Sequence, residues 1–114
     1  MIKLAVNLSM IFTEVPLIER FALAQAQGFK HVEIQFPYEL SIEQIQSQLT
    51  MHDLTLCLIN LPAGDLMQGG NGLAGVPGME LEFHRGLEQA IQYATALNVP
   101  SVNILAGKQP LDSD

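Results

Sequence analysis

Four polar side chains lie inside segments of the sequence that are otherwise apolar enough to form buried strands. They are Asn7, Glu33, Asn60 and Asn103, each near the middle or the carboxyl end of its segment. Strands of a parallel sheet are usually near-continuous apolar runs, so a polar side chain there needs a hydrogen-bonding partner. Two interpretations stay open: the four side chains face a ligand, or they satisfy one another and the nearby backbone.

Other catalytic or metal-binding patterns are weak. Glu33 is the only carboxylate inside a predicted strand, and general acid–base catalysis usually needs a second group facing the first. The sequence does not identify that second group. His31, His52 and His84 show no metal-ligand spacing, which favours surface or packing roles. No Ser/His/Asp arrangement can be read from the scattered serines.

Composition narrows the class of protein. The net charge is −7, from twelve acidic and five basic residues, and the scattered bases argue against nucleic-acid binding. Cys57 is the single cysteine and lies in an apolar segment, so we expect a small core residue and a reducing compartment. The sequence has no signal-peptide layout and no apolar run of about 20 residues, so we expect a soluble cytoplasmic protein.

The elements that would position the polar residues alternate along the chain. Ser41 and Gln44 have the spacing of a capping box, and Gly28 can end the first helix in a left-handed conformation. Strands are predicted over residues 2–8, 31–36, 54–61 and 101–106, and helices over residues 16–28, 41–52 and 80–97.

This order predicts parallel strands joined by right-handed helical crossovers. Two architectures fit: an open doubly wound sheet, or part of a (β/α)8 barrel. Neither a Gly-x-Gly-x-x-Gly motif nor a Walker loop follows the first strand, so dinucleotide and P-loop variants lose support. In both architectures, ligands bind at the carboxyl ends of the strands.

The stretch from Leu54 to Met79 combines the third strand with an unusually long connection. About fifteen residues of loop carry six glycines and two prolines, interrupted by apolar residues. Loops of this length within a compact domain are mostly functional or disordered. The apolar residues among the glycines favour an ordered wall over a site.

Several motifs together resemble the hydroxypyruvate isomerase family, which includes the 2-oxo-tetronate isomerases. The matching segments occur in the family's order and span almost the whole chain. They are Asn7-Leu8-Ser9-Met10-Ile11-Phe12-Thr13-Glu14, Val32-Glu33 with Phe36-Pro37-Tyr38, Asn60-Leu61-Pro62-Ala63-Gly64-Asp65, Gly72-Leu73-Ala74 with Pro77-Gly78, and Leu105-Ala106-Gly107.

The resemblance implies an α/β fold, the N-terminal half of a xylose-isomerase-like TIM barrel, with residues 1–114 as one partial domain containing β1 to β4. A complete barrel needs about 250 residues. The family interconverts an aldehyde and a ketone of a small hydroxy-keto acid through an enediol, with a divalent metal, Mg or Mn. The resemblance places the metal ligands and both catalytic glutamates on later strands, outside this chain.

The resemblance also implies which residues line the first half of the substrate pocket, without assigning a catalytic residue. Glu33 matches a family position that is not catalytic. The candidate substrate-binding residues are Asn7, Phe12, Glu33, Tyr38, Asn60 and Asp65.

On this basis we expect the chain to lack isomerase activity by itself. The alternative is a non-catalytic half-barrel that folds by self-association or with a complementary C-terminal half. Four parallel strands would leave two edges and an inner face uncovered, and we expect that face to be apolar.

Overall fold

The computed structural model describes residues 4–62 and 78–104. Within these ranges, strands and α-helices alternate as predicted, and a short 3₁₀-helix precedes the second α-helix. The elements are β1 (Ala5–Asn7), α1 (Leu17–Ala26), β2 (His31–Ile34), the 3₁₀-helix (Pro37–Glu39), α2 (Ile42–Met51), β3 (Thr55–Asn60), α3 (Glu80–Leu97) and β4 (Ser101–Asn103).

The strands form one parallel sheet in the order β1-β2-β3-β4. Strands that are neighbours in the sequence are therefore neighbours in the sheet. A doubly wound sheet reverses its strand order at a switch point, whereas a (β/α)8 barrel keeps the sequential order. The observed order decides between the two predicted architectures in favour of the barrel.

The core lies between one face of the sheet and the helices. Residues on this face alternate with less buried ones, as the two-residue period of a strand requires. The apolar side chains that are 1% exposed or less include Leu8, Phe21, Ala24, Val32, Ile34, Ile45, Leu56, Ile59 and Ala90.

The opposite face of the sheet is mostly polar, so the expected apolar inner face is wrong. Asn7 is the register partner of Glu33, and Asn60 is the register partner of Asn103. Register partners in a parallel sheet point to the same side. We call this side the inner face, because it would line the interior of a closed barrel.

The prediction that Cys57 is a core residue is wrong, because its side chain is only half-buried. The register between β2 and β3 shifts at Val32/Glu33: Val32 pairs with Leu56 and Glu33 with Leu58. Cys57 is thus the additional residue of a β-bulge, which removes it from the regular alternation of buried positions. The thiol lies 3.8 Å from the carbonyl oxygen of Thr55.

All three α-helices end in the same way. A residue with positive φ ends each helix: Gly28 (φ 89°) and Asp53 (φ 52°) follow the C-caps of α1 and α2, and Asn98 (φ 55°) is itself the C-cap of α3. The amide that follows each of them donates to a carbonyl five residues earlier, at 2.9–3.1 Å, as in a Schellman motif. The predicted stop at Gly28 is confirmed.

The predicted capping box of α2 is also confirmed. The amide of Gln44 donates to Oγ of Ser41 at 3.1 Å, and the amide of Ser41 donates to Oε1 of Gln44 at 2.8 Å. Both interactions are local in sequence, which is why the spacing alone predicted them.

Candidate functional site at the carboxyl ends of the strands

Two rows of polar residues lie on the inner face near the carboxyl ends of the strands. One row contains Asn7 and Glu33, and the other contains Asn60 and Asn103. Glu33 pairs with Leu58, which precedes Asn60 by two residues, so the rows are about 6–7 Å apart along the strands. The structure therefore brings the four predicted polar residues to one end of one face.

Asn7 shapes the connection that follows β1. Its Oδ1 accepts a hydrogen bond from the amide of Ser9 at 2.9 Å. Its carbonyl accepts from the amides of Met10 (3.1 Å) and Ile11 (3.3 Å), so the chain turns immediately after the strand. Oδ1 of Asn7 is thus engaged with the backbone, and the NH₂ group is the part of this side chain suited to a ligand.

Ser9 and Arg20 also hold this first loop, and neither role could be read from the residue types or their spacing. Oγ of Ser9 accepts from the amide of Gln35 at 2.9 Å, which connects the loop to the end of β2. Arg20 of α1 donates from Nη1 to the carbonyl of Leu8 at 2.8 Å and from Nε to the carbonyl of Val15 at 2.9 Å. A single guanidinium therefore connects both ends of the β1–α1 loop.

Phe12 lies in the middle of that loop with a φ of 57°. A bulky residue rarely adopts the left-handed region, and such strained positions are concentrated near functional sites. The side chain is half-buried and packs partly against the hydrophobic core. The packing of the ring offsets the cost of its backbone conformation.

Tyr38 and Asn60 are joined at the end of β3. Asn60 is only 5% exposed and is the one buried polar residue among those that the structure describes. Its amide donates to the carbonyl of Gln35 at 2.8 Å, and its carbonyl accepts a hydrogen bond from the hydroxyl of Tyr38. Tyr38 therefore fixes the backbone at the strand end.

Tyr93 of α3 supports Tyr38 from the outside. The two rings meet edge to face, with centroids 5.1 Å apart, and the hydroxyl of Tyr93 donates to the carbonyl of Leu40 at 2.6 Å. Burial raises the pKa of Tyr38 well above its usual range, and the neighbouring Tyr93 adds to this effect. Tyr38 is consequently a neutral hydrogen-bond donor near pH 7 and not a proton acceptor.

Glu33 and Asp65 are the remaining candidate residues, and the structure describes only Glu33. Glu33 is half-buried on the inner face, and its backbone carbonyl accepts from the amide of Leu8 at 2.8 Å. Asp65 and most of the long connection after β3 lie outside the described residues.

In the described ranges, no three His, Cys, Asp or Glu side chains are close enough together to hold a metal ion. The same ranges contain no helix that is long and apolar enough to cross a membrane.

Comparison with known proteins identifies the class that this strand order and site suggest. A family model described as the xylose isomerase-like TIM barrel matches residues 21–114. The chain belongs to this family.

Curated relatives agree with the resemblance seen in the motifs. The chain is 44% identical over 110 residues to the hydroxypyruvate isomerase of Escherichia coli, which covers 96% of this chain and 43% of the relative. It is 41% identical over 108 residues to the 2-oxo-tetronate isomerase of Haemophilus influenzae, covering 95% of this chain and 42% of the relative. The chain thus spans about two fifths of the length of these relatives.

A solved structure also matches this chain over about two fifths of its own length. The crystal structure of a protein from Brucella melitensis, described as AP endonuclease, family 2, superposes with a TM-score of 0.86 at 41% sequence identity. The match covers 94% of this chain and 42% of that protein.

Proposed function

We propose that this chain supplies the first part of the substrate pocket of an aldose–ketose isomerase that acts on a small hydroxy-keto acid. The observation that carries the proposal is the pair of polar rows at the carboxyl ends of the strands, where barrel enzymes bind their substrates. The names of the relatives, hydroxypyruvate isomerase and 2-oxo-tetronate isomerase, give the substrate class.

The residues of this chain would bind and orient the substrate. A small hydroxy-keto acid offers hydroxyl and carbonyl oxygens, which suit the amide NH₂ groups of Asn7 and Asn60, while the carboxylate of Glu33 can accept from a hydroxyl. Phe12 and Asp65 belong to the flanking loops in this proposal. Tyr38 would act indirectly, by fixing the strand end that carries Asn60.

The proposal assigns no catalytic residue to this chain. Moving a proton between adjacent carbons requires one group to abstract it and another to return it. A divalent metal, Mg or Mn, would stabilise the negative charge on the substrate oxygens. The resemblance to the hydroxypyruvate isomerases implies that the ligands of this ion and both catalytic glutamates belong to later strands, outside this chain. We also propose a cytoplasmic location, which its composition and single cysteine favour.

The test is a titration of the isotope-labelled chain with hydroxypyruvate, followed by amide chemical shifts. We expect weak binding, with shifts concentrated at the carboxyl ends of β1, β2 and β3. Asn7→Asp keeps the oxygen that accepts from Ser9 but replaces the NH₂ donor with a negative charge, so it should abolish these shifts.

Asn98→Asp is the matched control. It makes the same chemical change at the end of α3, beyond which the chain enters the amino end of β4. This variant should bind as the original chain does. Shifts spread evenly over the molecule, or equal responses of the two variants, would contradict the proposed pocket.

A second candidate function is a non-catalytic half-barrel that assembles with a partner. The specific observation in its favour is that β1 and β4 each pair on one side only within the described residues.

A further inference from the structure

We infer that Arg20 is a positioning residue of the proposed substrate pocket, because it fixes the orientation of the Asn7 side chain through the peptide group between Leu8 and Ser9. In this proposal, which rests on the proposed function, the NH₂ group of Asn7 binds the substrate. Arg20 is half-buried on α1 and acts only through that peptide group.

The peptide group between Leu8 and Ser9 is held at both of its polar ends. Its carbonyl, that of Leu8, accepts a hydrogen bond from Nη1 of Arg20 at 2.8 Å. Its amide, that of Ser9, donates to Oδ1 of Asn7 at 2.9 Å. The C=O and N–H of a planar trans peptide point in opposite directions, and the described part of the chain has no cis peptide bond. Arg20 and the Asn7 side chain therefore hold opposite ends of one rigid plane.

This arrangement selects the orientation of the Asn7 carboxamide. Only the oxygen of the carboxamide can accept from the amide of Ser9, so the hydrogen bond favours one of the two flipped orientations of the side chain. The NH₂ group is then directed away from Ser9, and it belongs to the inner face that Asn7 shares with Glu33. A hydrogen bond to the carbonyl of a peptide group also polarises its N–H, which strengthens the bond to Oδ1.

Contacts with β2 fix the position of this peptide group. The amide of Leu8 donates to the carbonyl of Glu33 at 2.8 Å, and Oγ of Ser9 accepts from the amide of Gln35 at 2.9 Å. These contacts hold the two residues against the sheet. The hydrogen bond from Arg20 then sets the rotation of the peptide plane between them.

The second hydrogen bond of Arg20 holds the far end of the β1–α1 loop. Nε donates to the carbonyl of Val15 at 2.9 Å, and the amide of Val15 donates to the carbonyl of Phe12 at 3.2 Å. The guanidinium is planar and rigid, so two bonds from different nitrogens fix the separation of the two carbonyls. A lysine ammonium at position 20 could reach one carbonyl but would not fix that separation.

The test separates positioning from stability by comparing two variants of α1. Arg20→Lys disturbs the end of the helix that faces the Leu8–Ser9 peptide. Gly28→Ala strains the opposite end, where φ is 89°, and serves as the control for a loss of stability. Arg85→Lys, on the exposed side of α3, is the control for the chemical change. All variants are studied well below their unfolding temperatures.

The first readout is the affinity for hydroxypyruvate, measured by NMR titration of the labelled chain. Arg20→Lys should raise the Kd by about fivefold to tenfold, the effect of one ordinary hydrogen bond. Gly28→Ala and Arg85→Lys should each change it by less than about twofold. The side-chain NH₂ resonances of Asn7 should move in Arg20→Lys alone, because the carboxamide then loses its fixed orientation.

The second readout is amide hydrogen exchange, which needs no ligand. In Arg20→Lys, the amides of Ser9 and Val15 should exchange faster, since their hydrogen bonds depend on the shape of the loop. In Gly28→Ala, the amide of Phe29, which donates to the carbonyl of Ala24 at 2.9 Å, should exchange faster instead.

Three outcomes would overturn the positioning role of Arg20. Equal losses of affinity in Arg20→Lys and Gly28→Ala would show that affinity follows stability alone. Unchanged affinity in Arg20→Lys, or unchanged exchange at Ser9, would show that the guanidinium does not orient Asn7, and the proposed pocket would stand without it. An original chain that does not bind hydroxypyruvate would overturn the proposed function itself, and the two failures are thus distinguishable.

Discussion

Tyr38, one of the predicted substrate-binding residues, holds the backbone at the end of β3, where the candidate residue Asn60 lies. Its hydroxyl donates to the backbone carbonyl of Asn60, and its ring packs edge to face on Tyr93. The amide of Asn60 donates in turn to the carbonyl of Gln35. These contacts fix the carboxyl end of β3, so Tyr38 positions a candidate binding residue while its own hydroxyl is occupied.

The raised pKa of Tyr38 leads to a prediction at alkaline pH. The phenol ionises near pH 10 in an unfolded chain but at higher pH in the folded protein, because burial disfavours the phenolate. Its contribution to stability is therefore complete below pH 10 and is lost as the pH rises above that value. Tyr38→Phe should make the free energy of unfolding less dependent on pH in this range, as measured by urea denaturation.

The same prediction can be checked by spectroscopy. The chain has two tyrosines, so Tyr93→Phe leaves Tyr38 as the only source of tyrosinate absorbance. That absorbance should appear well above pH 10 and coincide with unfolding. A Tyr38 that ionised at the ordinary pKa in the folded protein would contradict the prediction. At neutral pH, Tyr38→Phe should cost about 1 kcal/mol for the lost hydrogen bond.

Arg20 gives a second prediction for a single residue. Its guanidinium donates to the carbonyls of Leu8 and Val15 through two different nitrogens. A lysine ammonium is a compact group that does not reproduce this fork, so Arg20→Lys should destabilise the fold by about 1 kcal/mol. Arg85→Lys, on the exposed side of α3, is the matched control and should change the free energy of unfolding by less than about 0.5 kcal/mol. Equal losses in the two variants would contradict the role assigned to Arg20.

At the level of the elements, two glycines are expected to respond in opposite ways to alanine. Gly86 lies in the interior of α3, and an added Cβ would sit 3.5 Å from the ring of Pro62, an ordinary van der Waals contact. Gly86→Ala should therefore stabilise the protein by roughly 0.5–1 kcal/mol, the usual difference in helix propensity.

Gly28 provides the comparison. Its φ of 89° belongs to the Schellman motif at the end of α1, and alanine is strained there although no atom lies within 4 Å of an added Cβ. Gly28→Ala should destabilise the protein by about 1 kcal/mol or more. Thermal unfolding of both variants measures whether each substitution raises or lowers the stability of the protein. A destabilised Gly86→Ala would mean that α3 and Pro62 are packed more tightly than this geometry indicates.

The elements also show what the sequence could predict. The capping box of Ser41 and Gln44 and the stop at Gly28 depend on residues within one helical turn, so their spacing was sufficient. The same local signals and the apolar periodicities gave the alternation of strands and helices. Strand ends were less accurate: β2 ends at Ile34 and not at residue 36, because the chain bends at Gln35 and enters the 3₁₀-helix at Pro37.

The contacts that shape the site could not be predicted in this way. Ser9 meets Gln35 across 26 residues, Tyr38 meets Asn60 across 22, and Tyr93 meets Leu40 across 53. Each requires that the strands are already paired and the helices already packed. The sequence singled out Asn7, Glu33, Asn60 and Asn103 because polar residues are unusual in such strands, but it could not show that Asn7 and Ser9 also shape the loop.

At the scale of the whole molecule, the polar inner face is the main departure from our expectation, which was an apolar inner face. Barrel interiors are usually filled by bulky branched side chains, whereas the described strands here present Asn7, Glu33, Asn60 and Asn103 on that side. These polar residues lie toward the carboxyl ends, where a ligand and its water would be accommodated.

The last prediction concerns activity. The purified 114-residue chain should not interconvert hydroxypyruvate and its aldehyde isomer, with or without added Mg or Mn. The described residues provide one inner-face carboxylate, Glu33, and no group of three His, Cys, Asp or Glu side chains that could hold a metal ion. Proton transfer between adjacent carbons needs both an acceptor and a donor, and stabilisation of the charge on oxygen.

The assay follows exchange of the substrate's carbon-bound hydrogen with deuterated water by NMR, which detects enediol formation even when turnover is slow. Exchange that depends on added metal and stops with a chelator would contradict the prediction. If that exchange were also lost in Glu33→Gln and kept in Glu43→Gln, Glu33 would have to be assigned a catalytic role.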